Sequence, residues 1–201
     1  VRLRITAIAA NISRAEKLIG DAEKIIKRKA GMYIYSFNEG SIEKTTGELL
    51  KKKKLTIAAA ESCTGGLITS KLTDIPGSSD YVMDAIVAYS NEAKRRLLGV
   101  KAETIKKYGA VSKQTAIEMA RGIRKRSKTD IGISVTGIAG PTGARPGKPV
   151  GLVWIGYSDK KTAFAKDFIF TKDRLRNKDI MAKMALEIVR KQLTISLPPV
   201  E

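Results

Sequence analysis

The sequence contains no histidine at all, and that absence removes the commonest general base and metal ligand from consideration. A Ser-His triad is excluded, so any nucleophile here needs another kind of base. The one cysteine, Cys63, cannot close an internal disulfide, and without a Cys/His cluster there is no zinc or iron–sulfur framework. Metals and cofactors are not expected, and a lone thiol fits a reducing cytoplasm. No apolar run reaches the roughly 20 residues that a membrane-spanning helix needs, and the N-terminus lacks the apolar stretch of a signal peptide. No membrane association is expected. Aromatic residues are only 5% of the chain, few for a protein that stacks bases, so nucleic acid is not expected as a partner.

What is present is charge and enough apolar matter for one full core. The formal net charge of +18 over 201 residues makes the surface attractive to phosphates and nucleotides, although lysine-rich chains also use such charge to stay solvated. With 43% apolar residues, one large domain with a small appendage is the expected organisation.

Residues 1–10 alternate charged and apolar positions, the period of a half-buried strand. Ser13 then caps an amphipathic helix over Arg14–Arg28, and a second strand is expected at Met32–Phe37. This suggests a small β-α-β subdomain over residues 1–40, followed by the main domain over 41–201. A helix at Ile42–Lys52 leads to Leu55–Ala60, a wholly apolar run suited to a strand covered on both faces. Further strands are expected at Ile131–Val135, Leu152–Tyr157 and Ala163–Phe170. Helices are expected at Gly66–Leu72, Glu92–Leu98, Gln114–Arg126 and Arg174–Leu193. The pattern reads as α/β: a three-layer sandwich around a mixed, mostly parallel sheet.

Three polar or glycine-rich segments follow apolar strands, where open α/β sheets bind their ligands. In residues 61–66, ESCTGG, Ser62 sits where strand turns to helix, and the amides around Thr64, Gly65 and Gly66 could hold an oxyanion or phosphate. The same glycines would serve equally in a simple tight turn. Residues 89–94 offer Tyr89 at a strand end and Lys94 one turn into the next helix. The base for Ser62 is then a desolvated lysine, a tyrosinate or a carboxylate such as Glu61. Cys63 is a rival nucleophile, but adjacent residues in an extended turn point in opposite directions. The third segment, from Thr136 and Gly137 through Gly140, runs into a long glycine- and proline-rich loop carrying Arg145 and Lys148, basic groups suited to a ligand phosphate.

Together, ESCTGG at 61–66, AYSNEAKRRLLGV at 88–100, YGAVS at 108–112 and SVTGIAGPTGA with KPVG over 134–151 resemble the CinA C-terminal family across roughly residues 47–193. The resemblance implies an amidohydrolase that converts nicotinamide mononucleotide to nicotinate mononucleotide and ammonia without a metal. It implies Ser62 as nucleophile aided by Tyr89 and Lys94, oxyanion contacts from the 64–66 turn, and nucleotide contacts from Thr136, Gly137, Gly140 and Arg145. A homo-oligomer is implied as well. Residues 1–37 resemble the small KH-like domain that precedes this module in longer family members, which suggests a truncated or naturally short form. Two positions depart from the family pattern: Phe170–Arg174 lacks the glycine of Phe-x-Gly-Asp-Arg, and Lys178 stands where an arginine is common. The alternatives are a non-catalytic nucleotide-binding regulatory module and a nucleic-acid-binding protein.

Overall fold

Five short apolar segments pair into one sheet in the computed structural model, which describes residues 3–37 and 40–195. The strands are β1 (Ile57–Glu61), β2 (Val82–Val87), β3 (Ile131–Gly137), β4 (Leu152–Ser158) and β5 (Ala163–Ile169), in the order β2-β1-β3-β4-β5. β1 runs parallel to both its neighbours, β4 is antiparallel to β3, and β5 is antiparallel to β4, so β4 alone runs against the other four. The central strand β1 is buried at every position, the consequence of helices on both faces. β2, at an edge, alternates half-buried with exposed residues.

One face carries α2 (Ile42–Lys53), α3 (Leu67–Thr73) and α7 (Arg174–Ile195). Leu50, Ile68, Leu72, Met181, Ala185 and Leu186 pack there on Ile57, Ala59, Ile131, Ile133 and Val135. The other face carries α4 (Asn91–Leu98), α5 (Ala102–Tyr108) and α6 (Lys113–Ser127), with Leu98, Met119 and Ile123 against Ala58 and Ala60. Small residues let α6 approach the sheet closely: a Cβ on Gly156 would sit 2.5 Å from the Ser134 hydroxyl and against the Ala116 carbonyl. The fold is thus the expected three-layer α/β sandwich.

The chain divides into two units, Val1–Ser41 and Ile42–Glu201. In the first, α1 spans Ile12–Ala30, opened by Asn11, whose side chain accepts from the Arg14 amide, rather than by Ser13. The two expected flanking strands do not form. Residues 3–9 have no strand pairing, residues 1–2 lie outside the described residues, and Met32–Phe37 is a 3-10 turn at Gly31–Tyr33 followed by irregular chain. Alternation along a segment makes a strand only when another strand takes its backbone groups, and none does among the described residues of this unit. Leu3, Ile8, Met32 and Phe37 are accordingly exposed.

Candidate active site

The site begins where β1 and β3 end side by side. Glu61 is in register with Val135, and the Ser62 amide donates to the Val135 carbonyl at 3.0 Å, so the chain leaves β1 beside Thr136 and Gly137. Glu61 is fully buried and its carboxylate organises the turn that follows. One oxygen accepts from the amides of Gly66 (2.9 Å) and Ile68 (3.1 Å), the other from the amide and hydroxyl of Thr69 (2.9 and 2.8 Å). These bonds satisfy the first amides of α3, and Gly66 at φ +97° supplies the left-handed step into it. Glu61 therefore acts as a cap that fixes the turn carrying Ser62 rather than as the base considered from sequence.

The turn's amides are not disposed as expected. Gly65 donates to the Ser62 carbonyl (3.1 Å) and Gly66 to Glu61, so neither is available to an oxyanion. The amides of Cys63 and Thr64 have no oxygen acceptor among the described residues. The Thr64 hydroxyl is buried and has no hydrogen-bond partner among the described residues either.

Lys94 is the most unusual side chain of the site. It is 2% exposed, yet no carboxylate pairs with it among the described residues. Ser90 caps α4 by accepting from the Ala93 amide, which sets Lys94 one turn in and aimed back at β1. Its Nζ lies 3.0 Å from Ser62 Oγ, 2.8 Å from the Ala88 carbonyl and 3.0 Å from the Tyr89 carbonyl. Removal from water lowers its pKa from 10.5 to about 8, against a smaller opposing influence of Cys63. Two of its three neighbours are carbonyls, which only accept. In the neutral amine, two N–H groups stay on those carbonyls and the lone pair is left for the Ser62 hydroxyl proton.

Around this pair lies a cavity of about 260 Å³, lined among others by Ser62, Tyr89, Lys94, Val111, Thr136 and Gly140. Thr136 donates its hydroxyl to the Ala110 carbonyl (2.9 Å), which ties the end of β3 to the segment between α5 and α6. The structure brings together Ser62, Tyr89, Lys94, Thr136, Gly137 and Gly140. It leaves Thr64, Gly65, Gly66 and Arg145 off the cavity wall. Arg145 is exposed, in a two-residue bridge with Lys148, and Lys148 in turn donates to the Tyr108 carbonyl (2.6 Å).

A residue missed from sequence completes the wall. Arg174, at the start of α7, donates to the Gly140 carbonyl (2.9 Å) and to the Tyr89 hydroxyl (3.2 Å), bridging two of the three segments. Its only sequence signal was its place in the Phe170–Arg174 pattern after the last strand. Asn177, one turn on, ties the segment after β5 to the end of β3: its side chain accepts from the Thr171 amide and hydroxyl and donates to the carbonyls of Thr171 and Ala139. Among the described residues there is no group of three or more acidic, cysteine or histidine side chains placed to hold a metal.

Cys63 borders the cavity, but its side chain packs into the core, with Sγ 3.7 Å from Met181 Sδ. Burial pushes its thiol up to about 12, so at neutral pH it is neither ionised nor accessible. Cys63→Ala should keep most of whatever turnover the site has and lose about 1 kcal/mol of stability from the vacated core volume. The native thiol should label with iodoacetamide only on unfolding. Inactivation by this substitution, measured beside a denaturation curve, would transfer the nucleophile's role to Cys63.

The chain is similar to several known proteins. The CinA C-terminal domain family matches residues 39–193. A CinA-like protein of Kosmotoga olearia is 53% identical over 194 residues, covering 96% of this chain and 47% of that protein. A CinA-like protein of Salinibacter ruber is 44% identical, covering 97% and 47%. The chain thus spans about half the length of the curated relatives it matches. Among solved structures, the competence/damage inducible protein CihA of Agrobacterium tumefaciens aligns with TM-score 0.71 and 39% identity, over 76% of this chain and 96% of that one. A CinA superfamily protein of Klebsiella pneumoniae aligns with TM-score 0.74 and 29% identity, over 78% and 99%.

Proposed function

We propose, from the premise that this chain belongs to the CinA C-terminal domain family, that it is a serine amidohydrolase whose substrate is nicotinamide mononucleotide. The observation that carries this reading is the Lys94 amine, buried, short of its ordinary pKa and 3.0 Å from the Ser62 hydroxyl. A lysine stripped of water and of counter-charge is an unfavourable structural element, and a general base beside a nucleophile accounts for it.

In this mechanism neutral Lys94 takes the Ser62 proton as Oγ attacks the carboxamide carbon. The oxyanion is held by the Cys63 amide, the donor next to the nucleophile and part of the cavity wall. The lysine then returns its proton to the departing nitrogen, ammonia leaves, and water, deprotonated by the same amine, hydrolyses the acyl-enzyme. Glu61 and Gly66 hold the turn. Tyr89, fixed by Arg174, borders the cavity and assists proton movement or sugar contact. Arg145 reaches the ligand phosphate only if the 141–150 loop folds inward on binding. Catalysis rests on the second unit; assembly into a homo-oligomer and a cytoplasmic setting are part of the same proposal.

The test is ammonia release from nicotinamide mononucleotide by the purified chain, with the acid product identified by mass and nucleotide binding followed by thermal shift. Release with one nicotinate mononucleotide per ammonia is expected. Binding without release would replace this reading with a regulatory nucleotide-binding module, and neither binding nor release would overturn it.

A further inference from the structure

At the opposite end of the sheet lies a larger groove, of about 610 Å³, that has no part in the reaction above. Its walls come from the C-terminal half of α6, the Lys128–Thr129 step into β3, and the turn between β4 and β5. The candidate active site lies at the other end of β3, whose seven residues separate the two by about 20 Å. Six cationic side chains line it: Arg121, Arg124, Lys125, Lys128, Lys160 and Lys161.

The acids nearby are already engaged. Asp159 accepts from the amides of Lys161 and Thr162 (both 2.7 Å) and from the Tyr157 hydroxyl (3.0 Å). Asp130 accepts from the Thr56 amide and hydroxyl, and its nearest cation, Lys160, is 3.8 Å away. Arg121, Lys125, Lys128 and Lys161 have no carboxylate within ion-pair distance among the described residues. Converging like charges repel, so this arrangement is unfavourable until an anion enters.

We propose that this groove binds the sugar–phosphate backbone of a nucleic-acid strand, without reading its bases. No aromatic ring lines it, so there is no platform for base stacking, and the low aromatic content that argued against a base-stacking protein does not weigh against backbone contact. Thr129, Ser158 and Thr162 line the same groove, and lysine stems are apolar surface against which a sugar can pack.

The test is fluorescence anisotropy with a labelled single-stranded oligonucleotide of mixed sequence, using the full chain. Binding at 50 mM salt should weaken roughly 300-fold at 200 mM if six phosphates are neutralised. The variant Arg121→Gln/Lys125→Gln/Lys161→Gln, all at exposed positions, should bind at least about tenfold more weakly, with the log–log salt slope reduced by about 2. A control that removes equal charge elsewhere, Lys52→Gln/Lys106→Gln/Lys113→Gln, should change affinity less than about threefold. No binding at low salt, or equal loss in both variants, overturns the proposal. Displacement by inorganic polyphosphate as effective, per phosphate, as by unlabelled oligonucleotide would also overturn it, because the sugar would then contribute nothing.

Discussion

Ser62→Ala should lower ammonia release from nicotinamide mononucleotide by at least about 10³-fold while nucleotide binding, read by calorimetry, changes little. The substitution removes one atom from a residue that is 8% exposed, and it leaves the Ser62 amide on Val135 and the Glu61 cap of α3 in place. The turn therefore keeps its shape and loses only the attacking oxygen. Such a separation between binding and turnover is what distinguishes a nucleophile from a residue that merely supports the cavity. A variant that retained a tenth or more of the turnover would end the serine mechanism, and the Cys63 experiment would then become decisive.

The second large effect concerns the base. Lys94→Met fills the same channel with a side chain that cannot accept a proton, and kcat should fall by about 10² to 10⁴. The native rate should also carry the amine's titration: kcat/KM should climb with pH and level off above about 8, the value to which burial lowers Lys94. At pH 7 a group of that pKa is about one-tenth free base, whereas an ordinary lysine would be neutral some 300-fold less often, so burial itself supplies much of the base. A profile that is flat between pH 6 and 9 in chemistry-limited single turnovers would remove Lys94 from the mechanism.

The same shift makes a claim about stability, independent of any substrate. Lys94 binds its proton less tightly folded than unfolded, so between about 8 and 10.5 the unfolded chain holds more protons and stability rises with pH. Below pH 8 both states are protonated and the full penalty of burying the charge is present. Lys94→Met has no such titration, so the melting temperature of the native chain relative to the variant should increase from pH 7.5 to pH 10. The comparison cancels groups common to both proteins, such as the buried Cys63 and Tyr157, whose raised pKa values work in the opposite direction.

Much of the architecture was legible because it rests on period and punctuation. The unbroken apolar run before Glu61 marks a strand covered on both faces, and the α/β sandwich around it follows from alternating strands and helices, whereas edge strand β2, half-buried and exposed by turns, was not among the strands given bounds from sequence. The same reasoning failed on residues 3–10 and 32–37, where alternation was present but no partner strand was. Pairing is a property of two segments, and a single segment cannot report it. The reversed direction of β4 likewise depends on the loop that returns it to β3.

For the site, the absence of histidine, the ESCTGG turn and the Tyr89–Lys94 spacing were decided by the chain alone, and they left Ser62 and Cys63 as candidate nucleophiles without a histidine partner. Which ionisable group lies beside Ser62 was a tertiary matter. Glu61 and Lys94 are both ionisable and both near Ser62 in sequence or along the strand order, yet folding sends the carboxylate into the amides of α3 and the amine to the serine hydroxyl. The same folding consumes the Gly65 and Gly66 amides, leaves those of Cys63 and Thr64 without an oxygen acceptor among the described residues, brings Arg174 from 85 residues away onto Tyr89, and gathers scattered lysines into one groove at the far end of the sheet. Composition sets how much charge a chain carries, and residue types set what chemistry it has available. Desolvation, which turns a lysine into a base, exists only once the surrounding elements have packed and excluded water.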